Sequence, residues 1–267
     1  MAHLELENIS LSFGGVRALN NVNFQVEEKA VYSIIGPNGA GKTTIFNCIS
    51  GIYRPDSGHI RFEGQDVTKL KPHRIAQRGI ARTFQNIELF SHMTTMDNLM
   101  LGRHIHMKTG VWAGATMLWK NSPAAQDEIR HRHRVEEIID FLNLQSARNN
   151  LVVNLPYGTQ KLVELARALA VEPKLLLLDE PSAGMNLEEK GDLMFWIKDI
   201  RDVWGITILL VEHDMNLVMD ISDRVLALNY GEVIADGTPE EVQKHPEVLK
   251  AYLGEDDDAD MGVRDHA

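Results

Sequence analysis

The sequence predicts a mixed α/β fold: a largely parallel sheet, an antiparallel β layer ahead of it and a helical stretch inserted midway. Three observations carry this. The runs "VYSII" (31–35), "KLLLLDE" (174–180) and "ITILLVEHD" (206–214) are short and continuously apolar, as in strands covered on both faces. Between the last two, Leu193, Trp196, Ile197 and Ile200 fall at helical spacing, and strand–helix alternation implies a parallel sheet. The first 30 residues instead alternate apolar and polar positions, the pattern of strands with one wet face.

In chain order, "HLELENISLSF" and "VNFQVEE" are the two alternating strands. "VYSII" stops at glycine-rich "GPNGAGKTT", and a helix is expected from Thr43 to Ser50, with Gly51 as its C-terminal stop. "PDSGHIRFEGQDV" reads as turn, strand, turn, and "IARTFQNIELF" (80–90) enters another strand or loop. From about 91 to 155 the pattern is helical and irregular; Val135, Ile138, Ile139 and Leu142 share one helix face. "RVLALNYGEVIADG" is a hairpin turning near Asn229–Gly231. The final "GEDDDADMGVRDHA" is acidic, almost without large apolar groups, and is expected to be a disordered tail. No internal repeat interrupts this order.

Composition narrows the class. No uncharged run approaches the roughly 20 apolar residues a membrane helix needs. The N-terminus lacks a basic segment followed by an apolar one, so no signal peptide is expected. The single cysteine, Cys48, excludes an intramolecular disulfide, points to a reducing compartment and is expected to be core. A net charge of −11, from 27 basic and 38 acidic residues, argues against a nucleic-acid partner. "HRHR" (131–134) is expected to be a solvated helix face. Trp112 and Trp119 suit either a subdomain core or a docking surface.

The chemistry starts at Gly36, Pro37, Asn38, Gly39, Ala40, Gly41, Lys42 and Thr43, which fit G-x-x-x-x-G-K-[ST] between a strand and a helix. Glycines let backbone N–H groups approach phosphate oxygens, and the helix N-terminus adds its dipole. Lys42 is expected to reach the β- and γ-phosphates of a nucleotide, and the Thr43 hydroxyl to hold Mg²⁺. Asp179 closes a buried strand and Glu180 follows it. The aspartate suits Mg²⁺, directly or through water; the glutamate suits orientation and deprotonation of an attacking water. His213 ends the next buried strand, and strand C-termini are where open α/β sheets gather ligands. Gln85 in "TFQN" has an amide able to bridge Mg²⁺ and water, although exposed glutamine is common.

With these residues in order, the chain resembles the ATP-binding subunits of ABC transporters from residue 4 to about 254. The matching motifs are Walker A at 36–43, Gln85 in "TFQ", signature-like "LPYGTQ" at 155–160, Walker B "LLLLDE" at 175–180 and His213 in "VEHD". The resemblance implies a P-loop NTPase ABC ATPase fold: a RecA-like mixed sheet core, an antiparallel β subdomain and an inserted helical subdomain at about 91–155, with 255–267 as tail. It implies ATP and Mg²⁺ as ligands. Phe13 corresponds to the aromatic residue stacked on adenine, and Lys42, Thr43 and Thr44 to the phosphate- and Mg²⁺-binding end of Walker A. Gln85 corresponds to the Mg²⁺-sensing glutamine that couples to the membrane subunit. Asp179, Glu180 and His213 correspond to the Mg²⁺ aspartate, the catalytic glutamate and the switch histidine. Gly158, Thr159 and Gln160 correspond to signature positions that face the other subunit's nucleotide.

The family works as head-to-tail ATPase dimers, identical or homologous, on two membrane permease subunits, at the cytoplasmic face of the membrane. Leu155-Pro156-Tyr157-Gly158-Thr159 stands for the usual Leu-Ser-Gly-Gly-Gln, so the signature serine hydroxyl is absent and Thr159 is a substitute candidate. Asn186 stands where an aspartate is expected after Walker B. A tyrosine–glycine signature and a "GMN" loop are usual in ATPases of branched-chain (hydrophobic) amino-acid importers, which "FGGVRAL", "VEHDM" and "GEVIADGTPEEV" also resemble. The implied function is ATP hydrolysis driving uptake of such a solute, delivered by an external binding protein. The alternatives are a lipid or lipopolysaccharide exporter ATPase and a soluble non-transport ABC ATPase. A phosphotransferase would leave "LPYGTQ" and the Asp179–Glu180 pair unexplained.

Overall fold

The computed structural model describes residues 2–106 and 123–252. Trp112, Trp119 and the acidic tail lie outside the described residues.

The alternating N-terminal segments are β1 (Ala2–Phe13) and β2 (Val16–Glu27), paired antiparallel. With β4 (Ser57–Phe62) and β5 (Gln65–Asp66) they form a sheet of order β2-β1-β4-β5. The second sheet runs β10-β9-β3-β8-β7-β6, from β3 (Val31–Ile35), β6 (Ile80–Arg82), β7 (Leu175–Asp179), β8 (Thr207–Val211), β9 (Arg224–Asn229) and β10 (Glu232–Gly237). All of its pairings are parallel except the β9–β10 hairpin. That hairpin turns through Tyr230 and Gly231, both at positive φ, the primed geometry that matches strand twist.

The buried runs divide their side chains between two layers. Leu175 and Leu177 join Ile34, Leu209 and the inner face of the antiparallel sheet. Leu176 and Leu178 join Leu210 and the helices on the other side. Period-two alternation thus gives β7 two apolar faces. Helix α1 (Lys42–Ile49) packs Ile45, Phe46 and Ile49 into the first layer. It starts one residue before the expected Thr43, because Gly41 at φ 108 forms its N-cap; Gly51, at φ 73, stops it. Cys48 is buried and its thiol is pushed up to about 12 by desolvation, so it is packing rather than chemistry.

A short helix the periodicity did not reveal, α2 (Pro72–Gln77), begins on a proline suited to a first helical turn. The inserted segment contains α3 (Thr95–Arg103) and α4 (Pro123–Phe141), and Val135, Ile138, Ile139 and Leu142 are all buried as expected. "HRHR" corrects the solvated-face expectation. His131 is buried, its Nδ1 3.2 Å from Arg103 Nε, and burial first and then the Arg103 charge hold its imidazole below its ordinary pKa. Only Arg132 and His133 of that run are exposed. Helix α5 (Tyr157–Leu169) starts within the signature-like "LPYGTQ", α6 (Leu187–Trp204) follows β7, and α7 (Met215–Ile221) and α8 (Pro239–Gln243) come later in the chain. Among the described residues no helix is long and apolar enough to cross a membrane.

Candidate functional site

The sheet order puts β3, β8, β7 and β6 side by side. The segments leaving their C-terminal ends carry the glycine-rich loop, His213, Asp179–Glu180 and Gln85. Residues distant in sequence therefore meet at one sheet edge, as open α/β sheets arrange their ligand sites.

The loop at 36–41 is held by its neighbours. A Cβ on Gly36 would lie 2.2 Å from the Leu228 carbonyl, and one on Gly41 2.8 Å from that of Ala18. The loop is also bonded to the β9–β10 turn, since Gly231 N–H donates to Ala40 O (2.9 Å). Lys42 is buried; its Nζ donates to the carbonyls of Gly36 (2.7 Å) and Pro37 (2.9 Å) and so spans the loop from within. Asn38 and Thr43 are exposed at the rim and Thr44 is half-buried. Phe13, at the end of β1, is exposed and packs edge-on against Tyr53, with centroids 5.1 Å apart.

Asp179 is buried at the end of β7. Its Oδ2 accepts from Arg82 Nη2 at 2.7 Å. Arg82 also donates to Asn47 Oδ1 and Ser50 Oγ, and its guanidinium lies over Phe46 and Phe84. Burial pushes the Asp179 carboxyl up; Arg82 opposes that shift. Asp179 Oδ1 is buried with no hydrogen-bond partner, which is costly unless something meets it. A free carboxylate oxygen at this strand end fits Mg²⁺ or a water bound to it. Among the described residues no group of three His, Cys, Asp or Glu forms a metal cage. Mg²⁺ is held by one or two carboxylates, waters and substrate phosphates rather than by such a cage.

Glu180 stands in the left-handed region at φ 47, an unusual place for a residue with a Cβ. Its side chain is clasped on both oxygens. His213 Nε2 is 2.6 Å from Oε1, and Gln85 Nε2 donates to Oε2 at 2.7 Å. A carboxylate only accepts, so the hydrogen of the first contact is on the histidine. The structure thus brings together Gln85, Glu180 and His213, three of the candidates read from the sequence.

The signature begins α5 with Pro156 as N-cap and no side-chain cap hydrogen bond. An uncapped N-terminus leaves backbone N–H groups suited to an anion. The Tyr157 hydroxyl donates to Ala183 O (3.2 Å), in the loop after Walker B. Thr159 and Gln160 are half-buried, and Gln160 Nε2 donates back to Leu155 O (2.8 Å). A Cβ on Gly158 would lie 2.2 Å from Glu189 Oε1. Glu189 is fixed by a capping box with Asn186, each accepting the other's backbone N–H. Asn186 therefore has a local job, the N-cap of α6, which aspartate would also fill. Gly158→Ala is expected to expel Glu189 from that box and cost about 1 kcal/mol. A thermal melt should move down by about 2–4 °C; an unchanged melt would mean Glu189 does not pin this glycine.

Sequence reasoning missed several members of the site. Arg82 pairs with Asp179, and Lys161, Glu164 and Arg167 on α5 fasten the segment around Gln85. Lys161 Nζ donates to Gln85 O (2.7 Å), Phe84 N–H to Glu164 Oε1 (3.3 Å) and Arg167 Nη1 to Glu88 O (2.6 Å). Glu212, buried beside His213, was missed as well. The available signal was a charged residue next to a buried run, since buried charges are almost always partnered.

Fold and site together define a P-loop nucleotide hydrolase built as an ATP-binding cassette. The family model described as "ABC transporter" matches residues 19–183, and one described as "Branched-chain amino acid ATP-binding cassette transporter" matches 232–258. The chain is 44% identical over 252 residues to the high-affinity branched-chain amino acid transport ATP-binding protein BraF of Pseudomonas aeruginosa, covering 94% of this chain and 98% of that one. It is 41% identical over 252 residues to LivG of Escherichia coli, with the same coverage of each. Among solved structures, the ADP conformation of an ATP-binding cassette of an ABC transporter aligns with a TM-score of 0.82 at 31% identity, covering 95% of this chain and 99% of that one. The chain belongs to the ABC transporter family, as one of its ATPases.

Proposed function

We propose that this chain is the ATPase subunit of an importer for branched-chain or related hydrophobic amino acids, acting at the cytoplasmic face of the membrane on two permease subunits. The observation that carries the catalytic part is the clasp of Glu180 between Gln85 and His213. Residues 36–44 bind the ATP phosphates, Phe13 stacks on the adenine, and Thr43, Asp179 and Gln85 are the residues that would hold Mg²⁺. When bound there, Mg²⁺ would supply charge neutralisation to the phosphates. Glu180 takes the proton of the attacking water; a carboxylate has about four acceptor sites, so water binds beside both present partners. His213 keeps Glu180 aimed and faces the γ-phosphate.

Gly158, Thr159 and Gln160 face the nucleotide of a second ATPase in a head-to-tail dimer, identical or homologous. The uncapped α5 terminus offers N–H groups and Thr159 a hydroxyl, which together stand in for the absent serine. A groove of about 380 Å³ between α2, α3 and α5, with Ile75, Phe84, Gly102 and Arg167 on its walls, suits contact with a permease. The match at 232–258 and the relatives' names support an amino-acid importer over a lipid exporter.

The test is uptake of labelled leucine, isoleucine or valine by vesicles holding the assembled transporter, binding protein and internal ATP. ATP-dependent uptake is expected; ATPase activity unresponsive to loaded binding protein would refute the importer assignment. The isolated chain is expected to sediment as a monomer without nucleotide and as a dimer with ATP when hydrolysis is blocked. A tight nucleotide-free dimer would count against ATP-driven association.

A further inference from the structure

Glu212 follows the last residue of β8 and is only 2% exposed. Its carboxylate is shared between two loops. Oε1 accepts from Ser182 N–H at 2.9 Å, in the loop after β7. Oε2 accepts from His213 N–H at 3.0 Å and, more loosely, from Asp214 N–H at 3.4 Å, in the loop after β8. These loops carry Glu180 and His213, whose side chains meet at 2.6 Å.

The strain at Glu180 makes the bridge informative. A non-glycine residue held in a sparsely populated region costs about 1–3 kcal/mol and persists only where its surroundings over-determine it. Here the surroundings are consecutive residues of one strand end. Glu180 N–H donates to Val211 O (2.9 Å), and two residues on, past Pro181, Ser182 N–H donates to Glu212. The strained residue is thus tied down on both flanks.

We propose that Glu212 is a positioning residue for ATP hydrolysis: by joining Ser182 N–H to His213 N–H it sets the placement of Glu180 relative to His213. This rests on the assignment of Glu180 as the base. Only a carboxylate suits the bridge. Each oxygen accepts from a different loop, whereas glutamine has one acceptor oxygen and would turn its NH₂ towards an N–H donor. Glu212→Gln therefore keeps the volume and breaks one arm.

The experiment compares Glu212→Gln, Glu180→Gln and the unmodified chain in the assembled transporter, measuring kcat and KM for MgATP. A displacement of about 1 Å at a catalytic group can cost on the order of 10²-fold. Glu212→Gln is expected to lower kcat by about that factor with KM within about twofold, because the phosphate loop is untouched. A role confined to holding the fold would not separate kcat from KM. Unmodified kcat in Glu212→Gln overturns the inference alone; retained turnover in Glu180→Gln overturns the base assignment and the inference with it. If Glu212→Gln does not fold, amide exchange in the unmodified chain decides. Slow exchange at both Ser182 and His213 is the expected result, and fast exchange at either overturns the bridge.

Discussion

Glu180→Gln is expected to lower ATP turnover by about 10²–10⁴-fold, the usual worth of a general base, while nucleotide stays bound and ATP-bound dimers accumulate. The substitution is nearly isosteric, and the αL backbone at position 180 is set by the loop rather than by the side chain's charge. Binding should survive, because the phosphate loop is held by its own bonds: Lys42 Nζ on the Gly36 and Pro37 carbonyls and Gly231 N–H on Ala40 O. What changes is that one oxygen becomes an NH₂. Gln85 and His213 both donate to this group; an amide accepts on one atom only and cannot take a proton from water. Single-turnover hydrolysis and sedimentation with ATP check both halves, and unchanged turnover would remove Glu180 from the mechanism.

Lys42→Ala is expected to weaken nucleotide binding by about 10–100-fold. Hydrogen bonds to a charged group are worth about 1.5–3 kcal/mol, and each 1.4 kcal/mol is about tenfold. Two effects add here. The ammonium lost is the buried positive charge of the loop, and its ties to the Gly36 and Pro37 carbonyls go with it. The loop would keep its glycine contacts with Leu228 and Ala18, so the fold should remain while phosphate affinity falls. Calorimetry with ATP measures this, and unmodified affinity would contradict the role.

Much of this was legible along the chain. Leu175–Leu178 reads as a strand covered on both faces, and its continuation into Asp179–Glu180 marked a candidate ligand edge. Gly36–Thr43 carried its meaning in its spacing. Arg82 was less visible, because a lone arginine in "IART" does not announce a partner 97 residues away at Asp179. His131 was misread for a related reason: alternation in "HRHR" says which residues share a face, not which face meets Arg103.

The sequence by itself determined the class of fold and offered the phosphate loop and the candidate hydrolytic residues, because these depend on local periodicity and on residue types at fixed spacing. Only the tertiary structure decided how those residues are held: Glu180 between Gln85 and His213, Asp179 against Arg82, Gly158 against Glu189, and Glu212 across two loops. Most of these contacts join segments far apart in the chain, and β3, β8, β7 and β6 lie side by side in the sheet. Hydrogen bonds of that kind follow from which strands become neighbours, and no periodicity in a single segment encodes its neighbour.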